Sequence, residues 1–190
     1  MKSQLIKNAS VVNQGIIKTL EVRITNQFIE CIAPNITANE NDDVIDAKGA
    51  YLLPGMIDDQ VHFREPGLTH KGSILTESRA AVAGGITSYM EMPNVNPSTT
   101  NKAALEEKYA LAEQHSYANY SFYLGATEHN LDDIKALDPK KVCGVKVFMG
   151  ASTGNLLVEN PQALEGIFRE CPVLIVTHCE DGKTINKNNQ

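Results

Sequence analysis

Ile57-Asp58-Asp59-Gln60-Val61-His62-Phe63-Arg64-Glu65-Pro66-Gly67 is the stretch on which the fold of this chain turns. Alternate residues of a strand share a face. A strand here therefore sets Asp58, Gln60, His62 and Arg64 on one side and Ile57, Val61 and Phe63 on the other. A file of polar groups on an inward face costs stability unless a metal ion or a substrate satisfies it. The end of this strand is the expected centre of chemistry.

Working outward, strands and helices alternate from about residue 52, the pattern of parallel α/β folds. Strands are expected at 56–63, 86–92, 121–126, 142–148 and 173–177. A helix over 73–83 is closed by Gly84-Gly85, a C-terminal stop. Over 101–115, Leu105, Tyr109 and Ala112 form one apolar helix face. A short helix at 130–137 has Asn130 as N-cap and Asp133 in its first turn, and Asn160-Pro161 opens a fourth helix. Residues 1–52 read differently, as short strands at 5–6, 11–12, 20–24 and 28–32, with turns at Asn13-Gln14-Gly15 and Asn26-Gln27. The expected fold is α/β: a partial (β/α)8 TIM barrel of about five strands (53–190), preceded by a small all-β layer (1–52). A complete barrel takes about 250 residues, so the chain reads as truncated, with an apolar sheet edge left open.

Composition excludes several functions. The net charge is −6, hydrophobic residues make up 42%, and there is no tryptophan. No basic stripe suits nucleic acid, no apolar run reaches the roughly 20 residues of a membrane span, and Met1-Lys2-Ser3-Gln4 is not followed by a leader's apolar core. Cys31, Cys143, Cys171 and Cys179 lack paired spacing and read as reduced, buried thiols of a cytoplasmic protein.

The remaining chemistry falls at strand ends, where barrel enzymes build their sites. His62 ends the first strand and His178 the fifth. Lys146 lies mid-strand in Gly144-Val145-Lys146-Val147-Phe148, where burial favours the neutral amine; pairing with a carboxylate or snorkelling is the alternative. Hydrogen bonding to Glu180 is the structural alternative for His178. Arg64 offers a planar fork that fits a carboxylate, and Asn94, in Met92-Pro93-Asn94, reaches the same place from the second strand. Asp58 is a ligand, a partner of His62, or a buried carboxylate bonded to backbone. His70, His115 and His129 have weaker claims. The segment 149–155 has a flexible composition suited to folding over the site, and it is not a phosphate loop.

Pro54-Gly55-Met56-Ile57-Asp58, Val61-His62-Phe63-Arg64-Glu65-Pro66-Gly67, Ala83-Gly84-Gly85-Ile86-Thr87, Met92-Pro93-Asn94, Gly144-Val145-Lys146-Val147-Phe148 and Thr177-His178-Cys179-Glu180 together resemble the dihydroorotase branch of the cyclic amidohydrolases. The resemblance implies that the all-β layer is the small N-terminal β-sandwich segment of a composite sandwich, and that the protein is a zinc-dependent hydrolase of pyrimidine biosynthesis that interconverts N-carbamoyl-aspartate and dihydroorotate. It implies one or two Zn2+ ions held by His62, His178 and Lys146, the lysine carrying a CO2-derived carbamate. It also implies a further histidine and a proton-shuttling aspartate beyond residue 190, so the chain alone is expected to be inactive. Expected partners are the small-molecule substrate, further copies of the chain and a pathway enzyme such as a transcarbamoylase. One departure stands out: the family's usual His-x-His is Gln60-Val61-His62 here, leaving Gln60 and Asp58 as weak ligands. The alternatives are a hydantoinase or dihydropyrimidinase, which shares the Gly-x-Lys-x-Phe strand, and a non-catalytic scaffold, favoured by Gln60.

Overall fold

The computed structural model describes residues 3–152 and 154–189. Met1 and Lys2, considered above for a leader, and Thr153 of the 149–155 segment lie outside them. The chain divides into two compact units, Met1–Pro54 and Gly55–Gln190.

The first unit is a mixed sheet of strands β1 (Ser3–Asn13), β2 (Ile16–Thr25), β3 (Phe28–Ala33), β4 (Asp42–Asp46) and β5 (Tyr51–Leu52). Its order is β3-β2-β1-β4, with β5 also on β1. The two short strands expected at 5–6 and 11–12 are one long strand. Its register shifts between Ile6 and Ala9, where Asn8 adopts φ 56°. Gln14 and Gly15, at φ 50° and 74°, form the tight turn that joins two antiparallel strands of matching twist. Arg23 donates to both Asp42 carboxylate oxygens, at 3.2 and 2.8 Å, tying β2 to β4.

The second unit is a five-stranded parallel sheet in the order β10-β9-β8-β7-β6, that is, a partial (β/α)8 barrel. Its strands are β6 (Met56–Val61), β7 (Ile86–Glu91), β8 (Asn119–Gly125), β9 (Gly144–Met149) and β10 (Ile175–Cys179). Helices α1 (Ile74–Ala83), α2 (Lys102–His115), α3 (Leu131–Lys135), α4 (Pro161–Glu170) and α5 (Gly182–Asn188) connect or follow them. Their starts follow from local chemistry. Ser73 and Thr76 cap each other reciprocally at α1, Asn101 Oδ1 accepts from the Ala104 amide at α2, and Asn160 Oδ1 accepts from Gln162 and Ala163 ahead of α4. Each satisfies amide groups that the first helical turn leaves without partners. Asn130 stands at the N-cap of α3 without capping it by its side chain. Its amide is taken elsewhere, donating to Thr100 O and Gly125 O and accepting from Thr127 N.

Two clusters fill the space between sheet and helices. Val61, Phe63, Ile74, Tyr89, Leu105 and Phe122 belong to one; Leu124, Ile134, Val145, Val147 and Ile167 belong to the other. The strand residues in these clusters define the helix-facing side of the sheet. The residues between them face the barrel interior.

The strict alternation expected over 57–64 is only partly present. Val61 and Phe63 are buried in the helix layer, so His62 takes the interior face. Before Val61 the register slips: Asp58 pairs with Tyr89 and Val61 with Glu91. One extra residue in β6 there interrupts the pleat. Asp58, Gln60 and His62 therefore do not form one file, and Ile57 is 63% exposed rather than packed. Arg64 leaves the strand altogether at φ 71°.

Candidate active site at the strand ends

β9 supplies the site's lysine. Val145 and Val147 pack into the helix layer, which turns Lys146 and Phe148 to the interior. Lys146 is 6% exposed, and burial alone holds its amine below the usual lysine range. Its Nζ lies 4.9 Å from the centre of the Phe148 ring. β10 runs parallel to β9, with His178 opposite Phe148, and the two rings are 6.4 Å apart. Phe148 thus neighbours both Lys146 and His178.

His178 Nε2 lies 2.9 Å from Glu180 Oε1. The pair is not aligned as a hydrogen bond, and the nitrogen is buried without a formed partner. The contact expected between them is present as proximity, with the nitrogen's hydrogen-bonding capacity unused.

His62, just past β6, is drawn below the usual histidine range, first by burial and next by the positive charge of Arg64. Asn94 opposes this through a side-chain interaction with the ring, and the charge of Lys146 adds a smaller lowering effect. Asn94 Oδ1 is itself buried without an aligned donor. Arg64 Nη1 donates to the main-chain carbonyl of Asn94 at 3.4 Å. The structure therefore brings His62, Arg64 and Asn94 together, and brings Lys146 and His178 together around Phe148. Lys146 is near enough to His62 for its charge to be felt there.

Other expected residues lie off this arrangement. Gln60 is exposed, and Asp58 Oδ1 accepts from the Gln60 amide at 3.1 Å, which occupies it locally. His70 and His129 are exposed loop residues and His115 ends α2. Cys31 and Cys179 are exposed rather than buried, because strand ends and sheet edges leave them uncovered; Cys143 and Cys171 are half-buried, and all four are free thiols. Among the described residues no three His, Cys, Asp or Glu side chains are grouped to hold a metal ion. No helix among them is long and apolar enough to cross a membrane.

Two residues beneath the site have no counterpart in the sequence reading. Glu91 and Lys108 are fully buried, with Nζ 2.8 Å from Oε2. Burial raises the carboxyl and lowers the amine, each against the attraction of the other. The available signal was Lys108 itself, which sits in the Leu105–Ala112 stripe of α2, where a charge requires a buried partner. A third, Tyr123, faces the interior and donates to Asp59 O at 3.1 Å, pinning the irregular part of β6. A cleft of about 640 Å3 between α2 and β8, lined by Glu106, Tyr109, Tyr120 and Lys141, contains none of the site residues.

A half-barrel with a rim of imidazole, amine, guanidinium and amide groups at its C-terminal strand ends belongs to the class of (β/α)-barrel enzymes whose sites lie on that face. Residues 49–188 match the dihydro-orotase-like family, and the chain belongs to that family, within the cyclic amidohydrolase superfamily. It is 35% identical over 181 residues to a dihydroorotase of Methanosarcina acetivorans, covering 94% of this chain and 38% of the relative. It is 34% identical over 153 residues to an allantoinase of Solibacter usitatus, covering 80% of this chain and 33% of the relative. An L-hydantoinase (dihydropyrimidinase) structure from Arthrobacter aurescens superposes with a TM-score of 0.90 at 28% identity, covering 98% of this chain and 43% of that one. The chain thus spans about two fifths of the length of such relatives.

Proposed function

We propose that this chain carries the carboxylate-binding and part of the metal-binding side of a zinc-dependent dihydroorotase site. In that reading the reaction is the reversible opening of the dihydroorotate ring to N-carbamoyl-aspartate, a step of pyrimidine biosynthesis. The observation that carries it is the contact of Arg64 with Asn94 beside His62. A guanidinium fork and an amide at one rim suit a substrate that bears a free carboxylate. Rings without one, such as hydantoin or dihydrouracil, have no use for such a clamp.

The donor chemistry fits a divalent cation. His178 Nε2 is buried with unused capacity, and His62 is held toward the neutral form that ligates. Burial likewise favours the neutral, CO2-reactive amine of Lys146. His62, His178 and a carbamate on Lys146 would hold the ion, with Gln60 and Asp58 as weak contributors at most. Bound zinc supplies a lowered pKa for water and polarises a carbonyl. Arg64 and Asn94 bind and orient the substrate's carboxylate, and Phe148 covers the lysine and excludes water from it.

The hydantoinase-type reading is favoured by the Arthrobacter aurescens superposition, and the scaffold reading by Gln60. A single titration series separates the three. With zinc and bicarbonate present, calorimetry is expected to give tighter binding of dihydroorotate than of dihydrouracil, with the preference lost in Arg64→Met. Equal affinity for both rings overturns the carboxylate reading. Zinc well below one ion per chain favours the scaffold.

A further inference from the structure

We propose that the buried Glu91–Lys108 pair is the positioning device of the carboxylate clamp, setting Arg64 and Asn94 from the helix side of the sheet. The inference rests on the carboxylate reading above and extends it to residues that touch no substrate. Neither side chain reaches the rim, since both are 0% exposed. Each nonetheless makes one hydrogen bond to the backbone of a clamp segment. Glu91 Oε1 accepts from the Arg64 amide at 3.1 Å. Lys108 Nζ donates to Met92 O at 3.2 Å, two residues before Asn94. One ion pair thus bonds the backbone at or beside both arms of the clamp.

The chemistry of the two groups makes this a directional arrangement. An ionised carboxylate only accepts hydrogen bonds and an ammonium only donates them. Buried together, each can bond only backbone groups of the opposite kind. Arg64 needs such an anchor, because its φ of 71° is a conformation that side chains with a Cβ seldom adopt unaided. Stability alone does not call for the pair, since apolar residues of similar volume commonly hold a fold as well as a buried ion pair does. Apolar residues cannot hold the Arg64 amide and the Met92 carbonyl in place.

The test compares variants of the whole chain by two readouts: amide hydrogen exchange at Arg64, and the ratio of affinities for dihydroorotate and dihydrouracil. Glu91→Leu/Lys108→Met removes both charges and both backbone bonds. It is expected to melt cooperatively, exchange faster at Arg64 and lose about tenfold in preference for dihydroorotate, with dihydrouracil binding unchanged. Glu91→Asp keeps the charge but withdraws the carboxylate from Arg64. It is expected to lose the same preference, and it serves if the apolar variant does not fold. Glu91→Gln/Lys108→Met, which keeps an acceptor for Arg64, is expected to recover part of the loss. An unchanged preference in the apolar variant and in Glu91→Asp, or equal weakening toward both rings, overturns the inference. Arg64→Met locates the failure. If it abolishes the preference and the pair variants do not, only the positioning role falls. If wild type shows no preference, or Arg64→Met leaves it intact, the clamp reading fails and the inference falls with it.

Discussion

Replacing Lys108 alone by Met leaves the Glu91 carboxylate fully buried with no cation at 2.8 Å. Breaking one side of a buried pair costs about 3–5 kcal/mol, a large fraction of the roughly 5–15 kcal/mol that holds a domain folded. The cost depends on pH in a definite direction. Burial already raises the Glu91 carboxyl despite Lys108, and removing the lysine raises it further. A folded-state pKa above the unfolded value of about 4.3 means that the folded form holds the proton more tightly. Stability is then fully present below the unfolded pKa and declines as pH rises through the folded one. Urea unfolding followed by far-UV circular dichroism suits a chain without tryptophan. Lys108→Met is expected to lose several kcal/mol at neutral pH and to recover much of it near pH 4, whereas Glu91→Leu/Lys108→Met, which leaves no buried charge, loses less than Lys108→Met at neutral pH and shows no such dependence on pH. A single-variant cost below about 1 kcal/mol at neutral pH, or stability that increases with pH, refutes the account of this pair as desolvated and mutually dependent.

Three further outcomes follow from the geometry. Arg64→Met removes the charge that, after burial, most depresses His62, so the His62 pKa is expected to rise, as an NMR titration of its ring protons would record. Asp42 is held down to about 2, first by Arg23, then by Ser3 and the Asn39 amide. Its contribution is present above the unfolded value of about 3.9 and lost as pH falls toward 2, so Asp42→Asn is expected to abolish the acid-induced loosening of the β2–β4 contact seen by amide exchange. Gly67 has φ 78°, and a Cβ there would lie 1.8 Å from Asn96 O; Gly67→Ala is expected to cost about 1–3 kcal/mol in urea unfolding, and a neutral result would mean that the loops after β6 and β7 do not pack this closely.

Periodicity and end signals were enough to read the parallel sheet. Val145 and Val147, or Val61 and Phe63, announce which side of their strands is apolar, and so which way Lys146 and His62 face. Asn101 and Asn160 announce helix starts because the interactions that use them are local. β4 and β5 are not legible in the sequence because Asp42-Asp43 and a two-residue Tyr51-Leu52 segment carry little strand preference; pairing with β1 creates them. The register slip in β6 was equally invisible, since it is a property of two strands together. Glu91 and Lys108 are 17 positions apart, on a strand and a helix, and nothing in their spacing announces the pair. The interior facing of His62, Lys146 and His178 was legible; their separations were not, because those depend on the curvature of the sheet between β6 and β10.

The register slip has a consequence for how this strand tolerates change in length. Met56 pairs with Ile86 and Val61 with Glu91, although one irregularity lies on the β7 side near Ile57 and another on the β6 side between Asp58 and Val61. The two are of opposite sense and cancel, so both strands travel the same five steps. Loss of a single position at 59 or 60 would remove slack rather than shift either flank, and His62 would still arrive level with Met92.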